Sequence, residues 1–329
     1  MKPLPALQAR LLRTFGDFVA PGGSRGALLI LIYHRVLAEP DPLLPDEPDA
    51  SAFAAQMDVL SAVCNVLPLL EATERLQRGA LPPRAACITF DDGYANNYSV
   101  AGPILRARKL PATVFVATGY TNNARRMFND TVIESVRRAP SILDLTALEL
   151  PRFELHDDTA RARAVVTLLR ALRYLDPSQR LTRAEEIAEH VGAALPNDLM
   201  MSEQQVRGLD SFGIAVGAHT VTHPILKNVE AAFAEREIAA SKATLEAITA
   251  APVPLFAYPN GRPKQDYDSS HVALVRKAGF KAAVSTAFGA AGRSADLLQL
   301  PRMLPWDPTA VRYSLRLLWT YRDCIPETA

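Results

Sequence analysis

Two adjacent carboxylates end an apolar run in the segment TFDDGYANNY. Asp91 and Asp92 follow the β-prone stretch AACITF and precede Gly93. Two like charges beside a buried strand repel each other, and burial increases the cost of that repulsion. The pair therefore predicts a positive charge close by, and a divalent cation would supply it.

Two histidines could bind such a cation. His219 and His223 stand four residues apart in HTVTH, and one helical turn would point both the same way. Two imidazole nitrogens with one carboxylate leave the other positions of the ion open for water and substrate. Taken alone, the histidine pair or the DDG turn is more often structural. Together, at the ends of two predicted strands, they predict a metal site.

Short apolar runs that alternate with helical segments predict the elements that position these residues. The runs are ALLILIY (27–33), AACITF (85–90), ATVFVAT (112–118), FGIAVGAH (212–219), PLFAYP (254–259), KAAVST (281–286) and LLQLPRM (297–303). Repeated strand–helix units predict a mainly parallel sheet with helices outside. Active groups collect at the carboxyl ends of such strands, so both motifs should meet at one edge.

Residues 120–205 interrupt this pattern. They are helical and charged, with no clear strand. We expect a helical insertion on the barrel that walls one side of the cleft and shortens it, because insertions at barrel loops are where such folds vary their substrate. A short substrate, rather than a long polymer, follows as the hypothesis.

The N-terminal residues 1–23 predict an amphipathic helix. Apolar residues recur in it at helical spacing, at Leu4, Leu7, Leu11, Phe15 and Phe18. We expect this helix to cover the edge of the barrel, and a membrane-surface helix through residues 4–19 is the alternative. Residues 24–310 would then form the barrel, and residues 311–329 a C-terminal helix or tail.

The composition excludes several other classes. A formal net charge of +1 over 329 residues does not favour nucleic acid as a partner. Three widely spaced cysteines match no zinc or disulfide pattern. No stretch approaches the roughly 20 apolar residues of a membrane span, and the N-terminus lacks the continuous apolar region of a secretory signal. We expect a cytoplasmic protein, with peripheral membrane contact as the alternative; the oligomeric state is left open.

Several segments resemble one enzyme family. TFDDGYANN and HTVTH are similar to the first two motifs of the polysaccharide deacetylases, carbohydrate esterase family 4, which carry the NodB-homology domain. YHRV (33–36), FAYPNG (256–261) and AGFKAAVST (278–286) resemble stretches of one branch of it. The resemblance covers about residues 27–120 and 205–305. It implies an α/β fold, a distorted (β/α)7 barrel, and a hydrolase of carbohydrate metabolism that removes N-acetyl groups from amino sugars.

The resemblance also implies a role for each matching residue. The general base would be Asp91, and the ligands of one divalent ion, zinc by default, would be Asp92, His219 and His223. Thr220 would brace the loop that holds the ligands. The chemistry of amide hydrolysis adds a donor for the oxyanion, for which we expect the backbone N–H of Tyr94.

The sequence departs from the family pattern at the third motif. Ala257 stands in FAYPNG where the family has an arginine. Arg302 in LPRM either supplies that guanidinium from a neighbouring strand end or is structural. A further hypothesis is that Arg302 binds an anionic or carbonyl group of the substrate. Tyr258, Pro259 and Asn260 are expected in the pocket wall, with the core as the alternative for Tyr258.

The histidine acid of the family's fifth motif is also missing. His271 precedes a predicted helix and is expected at the surface. His34 ends the first strand and is expected as a hydrogen-bonded histidine at the barrel mouth. Asp130 caps the helix that follows it or contacts substrate. No general acid is therefore assigned.

Two other functions compete with deacetylation. The missing arginine and histidine favour a catalytically silent carbohydrate-binding barrel, whereas the intact base and ligand set disfavour it. An N-deformylase acting on a lipid-carried amino sugar has the same residue requirements, and the sequence does not distinguish acetyl from formyl.

Overall fold

The computed structural model describes residues 4–123, 125–192, 194–305, 307, 309–324 and 327–329. The strands are β1 Leu28–Tyr33, β2 Asn65–Val66, β3 Ala85–Phe90, β4 Ala112–Val116, β5 Ile142–Asp144, β6 Arg152–Glu154, β7 Ile214–Ala218, β8 Leu255–Ala257, β9 Ala282–Phe288 and β10 Leu300–Arg302. The α-helices are α1 Ala6–Val19, α2 Ala50–Val63, α3 Leu69–Arg78, α4 Gly102–Arg108, α5 Phe128–Arg138, α6 Asp158–Leu172, α7 Pro177–Val191, α8 Glu203–Gly208, α9 Ala231–Thr249, α10 Ser269–Lys277 and α11 Ala310–Thr320.

Seven parallel strands form a nearly closed barrel in the order β1-β3-β4-β7-β8-β9-β10. The short strand β2 pairs with the beginning of β3. The two ends of the path meet through Met303, whose N–H donates to Ile30 and whose carbonyl accepts from Ile32, at 2.8 and 3.0 Å. The predicted α/β barrel is confirmed, and each of the seven predicted apolar runs overlaps one of its strands.

The strands carry nearly continuous apolar sequence because both of their faces are covered. Every residue of β1 and β3 is buried. Alternate side chains enter different clusters: Leu28 and Cys87 belong to the cluster inside the barrel, and Leu29 and Ile88 belong to the cluster beneath the outer helices. By the same alternation, the side chain of Asp91, directly after β3, is on the face of the strand that points into the barrel.

The N-terminal helix α1 forms as predicted, but its orientation differs from the expectation. Leu4 and Leu12 pack against the core, and Gly16 fits against Arg84 and Leu318. The remaining apolar residues of the predicted buried face point outward, at Leu7, Leu11, Phe15 and Phe18. The expectation that this apolar face covers the barrel edge is wrong, because the small Gly16 permits a close approach on the other side of the helix.

The insertion between β4 and β7 has a hydrophobic core of its own. Side chains from α5, α6 and α7 build that core, including Val132, Leu168 and Ile187. The prediction of no strand here is wrong, because β5 and β6 form an antiparallel hairpin. Each strand is only three residues long and mostly exposed, which is too short for the period-2 pattern to be visible.

None of the helices in the described ranges is both long enough and apolar enough to cross a bilayer.

Candidate active site

The candidate metal centre consists of Asp92, His219 and His223, whose ligand atoms all lie within 4.8 Å of one another. Asp92 Oδ1 is 3.5 Å from His219 Nε2 and 3.4 Å from His223 Nε2. This oxygen is buried and has no hydrogen-bond partner among the described residues. Because a buried, unpaired carboxylate oxygen is costly, its position between two imidazole nitrogens is an arrangement that a divalent cation would satisfy.

The turn after β3 directs the two carboxylates to different sides. Asp92 and Gly93 both adopt positive φ, 72° and 87°, and the carbonyl of Asp92 accepts the N–H of Ala117 at 3.2 Å. A side chain at Gly93 would approach Val116 to 3.0 Å. Glycine therefore permits this tight turn, and the strained Asp92 backbone lies where functional residues often store strain.

The two histidines lie on a loop after β7, which corrects the expectation that one helical turn presents both. Thr220 and His223 adopt positive φ, and Thr220 Oγ1 accepts the N–H of His223 at 3.1 Å. The hydroxyl also donates to the carbonyl of His219 at 2.5 Å. Thr220 therefore bridges the two ligand residues, in the bracing position that was predicted for it.

Glu237 is a positioning residue that the sequence analysis missed. It is buried on α9, and its carboxylate accepts the N–H groups of Val221 and Thr222 at 2.9 and 2.7 Å and the Thr222 hydroxyl at 2.9 Å. A carboxylate that accepts three bonds fixes the loop between the two histidines. The signal was an acid at a core-facing position of a helix.

The surroundings act differently on the two imidazoles. His219 Nδ1 lies 2.8 Å from the Ala257 carbonyl, so that nitrogen donates and Nε2 remains a ligand. Burial lowers the pKa of His219, but the neighbouring Asp92 and Asp91 carboxylates raise it above its usual value overall. Burial lowers the pKa of His223 to about 3, which keeps it neutral. Two nitrogens and one carboxylate oxygen fit a divalent ion such as zinc.

Asp91 forms a bidentate pair with Arg302. The guanidinium Nη1 and Nη2 atoms each lie 2.7 Å from a carboxylate oxygen, and Nε donates to the Ser285 carbonyl at 2.8 Å. Burial raises the pKa of Asp91, but Arg302, with a smaller contribution from His219, brings it below its usual value. Asp91 is thus held ionised.

Arg302 therefore reaches Asp91 from a neighbouring strand end, and its role in place of the family's arginine stays a prediction. It is 2% exposed, and its donors point to Asp91, Ser285 and Thr89. This geometry does not support the hypothesis that Arg302 binds an anionic substrate group directly, because its donors are already occupied.

The other predicted pocket residues separate into two groups. Asn260 and Tyr94 line the cavity beside the metal centre. Tyr258 lies in the core, its ring stacked on Tyr267 with centroids 3.9 Å apart and its hydroxyl donating to Leu298, which corrects its placement in the wall. Pro259 is buried in the turn before Asn260 and does not line this cavity.

The structure also places His271, His34 and Asp130, the three other residues that the sequence singled out. His271 is buried and belongs to the capping box of α10 with Asp268, so the expected surface location is wrong. His34 lines the cavity together with Asp91 and Asp92. Asp130 is buried in the first turn of α5 and pairs with Arg35; it does not cap that helix, because Met127 precedes the first turn.

The cavity beside the metal centre has a volume of about 350 Å³. The barrel supplies His34, Asp91 and the metal-centre residues. The insertion supplies much of the opposite wall, with Phe128, Asn129, Leu169 and Arg173 among the lining residues. The insertion therefore walls one side of the cleft, as the sequence predicted.

Known proteins support the family assignment. The polysaccharide deacetylase family model matches residues 78–168 and 178–283, more than half of the chain. The chain therefore belongs to the polysaccharide deacetylase family, whose members are metal-dependent, and is a hydrolase that acts on carbon–nitrogen bonds. The comparison with curated proteins gave no match.

Solved structures share the fold at low sequence identity. The Streptococcus pyogenes deacetylase PplD, in complex with acetate, has a TM-score of 0.60 and 19% identity, over 89% of this chain and 99% of that chain. IcaB from Ammonifex degensii has a TM-score of 0.57 and 20% identity, over 91% and 98%. The BpsB deacetylase domain from Bordetella bronchiseptica has a TM-score of 0.53 and 16% identity, over 84% and 95%.

Proposed function

We propose that this protein is a metal-dependent hydrolase of an N-acyl group, in the first place N-acetyl, on an amino sugar. The observation that carries the proposal is the buried Asp92 Oδ1, unpaired and between two histidine Nε2 atoms, next to a separate ionised carboxylate, Asp91. One acid is free to ligate while the other is held as a base, which is the division of labour that amide hydrolysis needs.

The ligands of the proposed site are Asp92, His219 and His223. A divalent ion held there, zinc in the first place, would polarise the acyl carbonyl and lower the pKa of a water. Asp91 accepts the proton of the attacking water, and Arg302 orients the Asp91 carboxylate. The backbone N–H of Tyr94, immediately after the turn, donates to the oxyanion that develops on the carbonyl oxygen of the acyl group.

His34 is the residue that we propose as the proton donor to the leaving amine. It follows β1 at the same end of the barrel and lines the cavity with both aspartates. The family's usual histidine acid has no counterpart here, since His271 is used in a helix cap. His34→Ala should lower kcat by about 10²–10⁴-fold with an unchanged metal content, and an unchanged kcat would exclude this role.

The activity is tested by offering the metal-loaded protein a panel of N-acetylated and N-formylated amino sugars. Acetate and formate are measured separately, so the same assay distinguishes a deacetylase from a deformylase. We expect acetate release that stops with a chelator and returns with zinc. No release of either acid by protein with a full metal site would contradict the proposal and favour a silent sugar-binding barrel.

We also propose that residues 4–19 contact a membrane surface. Leu7, Leu11, Phe15 and Phe18 are exposed on α1, Phe18 by 86%. Helix α11 packs beside α1 and adds Trp319, 59% exposed. Such a clustered apolar surface is unusual for a free monomer face.

The charges beside this surface favour anionic lipid as its partner. Arg10, Arg312 and Arg322 are exposed on the same two helices or directly after them, and basic residues near apolar anchors attract anionic headgroups. Sedimentation with phosphatidylglycerol vesicles should fall when Phe15 and Phe18 are both changed to Ser. Equal sedimentation with neutral vesicles, or none with either, would contradict this contact.

A further inference from the structure

A second cavity adjoins the one that contains the metal centre. It also has a volume of about 350 Å³. The two cavities share four lining residues, His34, Arg173, Asn260 and Thr286. A molecule whose acyl group lies at the metal centre could therefore extend directly into the second cavity.

The second cavity is lined by four arginines, and no carboxylate is among its described lining residues. Two of the four have acidic partners: Arg302 pairs with Asp91, and Arg316 lies 3.5 Å from Asp307. The other two, Arg173 and Arg262, have no carboxylate within ion-pair distance in the described part of the chain. This leaves two positive charges in one recess.

The hydrogen bond and the ring contact of Arg173 are both with uncharged groups. Its Nη2 donates to Asn260 Oδ1 at 2.9 Å, and its guanidinium lies 5.5 Å from the Tyr174 ring, and neither group is anionic. Its Nε is buried and has no hydrogen-bond acceptor among the described residues. A buried guanidinium donor without an acceptor is costly, so the atom indicates a ligand.

Arg262 presents an exposed side chain to the same cavity. The nearest acid behind it, Asp266, is fully buried and accepts the Arg262 backbone N–H at 2.9 Å. That carboxylate does not line the cavity, and burial raises its pKa against the opposing effects of the Arg262 N–H and of the Arg173 and Arg262 charges. Asp266 therefore holds the backbone of Arg262 and leaves the guanidinium available.

We propose that the second cavity binds a phosphate group esterified to the amino sugar. Two uncompensated guanidiniums match the charge of a phosphate, and the planar guanidinium is suited to bidentate contacts with phosphate oxygens. The inference rests on the proposed function for the position of the acyl group. It adds to that function a substrate class: a sugar phosphate whose N-acyl group lies at the metal centre.

The outer edge of the cavity has room for a group attached to the phosphate. Phe288 and Leu304 are lining residues and are 53% and 56% exposed. An apolar or aromatic group beyond the phosphate would cover them. A prenyl carrier and a nucleoside share this chemistry, and the binding experiment separates them.

Binding is measured by calorimetry with the metal-loaded Asp91→Asn variant, in which slow turnover permits titration. The ligands are N-acetylglucosamine, its 1-phosphate, the uridine diphosphate sugar and a short-chain prenyl phosphate sugar. We expect the phosphorylated sugars to bind more tightly than the neutral sugar. The tightest of the three identifies the group that Phe288 and Leu304 cover.

Second substitutions in the Asp91→Asn variant test whether the tighter binding of phosphorylated sugars depends on this cavity. Arg262→Met or Arg173→Met should weaken binding of the 1-phosphate about 10- to 100-fold and change binding of the neutral sugar far less. Arg170→Met is the matched control, since Arg170 is exposed on α6 one turn before Arg173 and lines neither cavity. Equal affinity for neutral and phosphorylated sugars, or an equal loss in the Arg170 variant, would overturn the inference.

The failure of this inference is distinguishable from the failure of the proposed function. Hydrolysis of the neutral sugar as fast as its 1-phosphate, with matching affinities, would overturn the phosphate site and leave the hydrolase intact. Tight, Arg262-dependent binding of the phosphate without hydrolysis of any N-acyl group would support the phosphate site and contradict the hydrolase.

Discussion

The barrel and the helical insertion face each other across one cavity and contribute different properties to it. The barrel supplies residues from loops after β3 and β7, fixed by a dense set of backbone and carboxylate hydrogen bonds. The insertion supplies mainly apolar side chains and Arg173, supported by a core of its own. We therefore expect the barrel to determine the reaction and the insertion to determine which molecule reaches it.

The two regions are nevertheless connected next to the metal centre. Arg180 on α7 of the insertion donates to the carbonyl of His223 at 3.1 Å. Arg35, just after β1, pairs with Asp130 on α5 and lies 3.8 Å from the centre of the Tyr94 ring. These buried contacts give the insertion a fixed position relative to the barrel, so changes in its wall should act on substrate choice rather than on metal binding.

The largest expected effect comes from the proposed metal ligands of the barrel. His219→Ala, His223→Ala or Asp92→Asn should lose a near-stoichiometric divalent ion and nearly all activity, because each removes one of three donors. Elemental analysis after exposure to zinc, cobalt or nickel measures this. His156→Ala, an exposed histidine of the insertion, is the control. A parent protein that remains metal-free would contradict the site.

The next effect comes from the second carboxylate of the turn. Asp91→Asn should keep the metal and lower kcat by about 10²–10⁴-fold, because the amide cannot accept the proton of the water. Metal content and kcat are measured on the same sample. Loss of the metal in Asp91→Asn, with its retention in Asp92→Asn, would show that the two roles are reversed.

A smaller effect is expected from Arg302, which acts through Asp91. Arg302→Lys should lower kcat/KM about 10-fold, because lysine does not reproduce the bidentate contact. Arg302 opposes the rise in the pKa of Asp91 that burial causes. Lysine keeps the charge but not the two hydrogen bonds, and their loss should raise that pKa, so the base becomes protonated at higher pH and the acid limb of the pH–rate profile moves to higher pH.

The matched control for Arg302 is Arg108→Lys. Arg108 forms a bidentate pair with Asp58 on the outer surface, at 2.7 and 3.0 Å, and its replacement should leave the pH profile unchanged. An Arg302→Lys variant with a raised KM and a normal pH profile would instead restore the hypothesis that Arg302 binds substrate.

The sequence predicted the barrel and the residues at its strand ends better than it predicted the rest of the structure. The barrel strands were visible because parallel strands buried on both faces are continuous apolar runs. Asp91, Asp92, His219 and His223 were visible because residue type and strand-end position suffice to suggest a metal. Local patterns carry this information, and the structure brings all four together.

What the sequence did not reveal depends on non-local contacts or on backbone conformation. Arg302 meets Asp91 across 211 positions of the chain, and Glu237 reaches the histidine loop from another helix. Positive φ at Asp92, Thr220 and His223 has no signature in these residue types. The outward face of α1 follows from the fit of Gly16 against Arg84 and Leu318, which a helical period alone does not contain.

The smallest expected effect is a change in substrate length caused by the wall of the insertion. Leu169 on α6 is half-buried and lines the cavity, so Leu169→Ala should widen the cleft. The rate with a long N-acetylated oligosaccharide, relative to a disaccharide, should rise a few-fold, whereas metal content stays the same.

Leu148→Ala is the control, since Leu148 packs on the core of the insertion but lines neither cavity. Both variants should lose a similar amount of thermal stability. A change in substrate preference that occurs only in Leu169→Ala is then caused by the cavity wall and not by the loss of stability. A parent enzyme that hydrolyses long glycans faster than short ones would show that the insertion does not restrict the cleft, and the division between a catalytic barrel and a selective insertion would then fail.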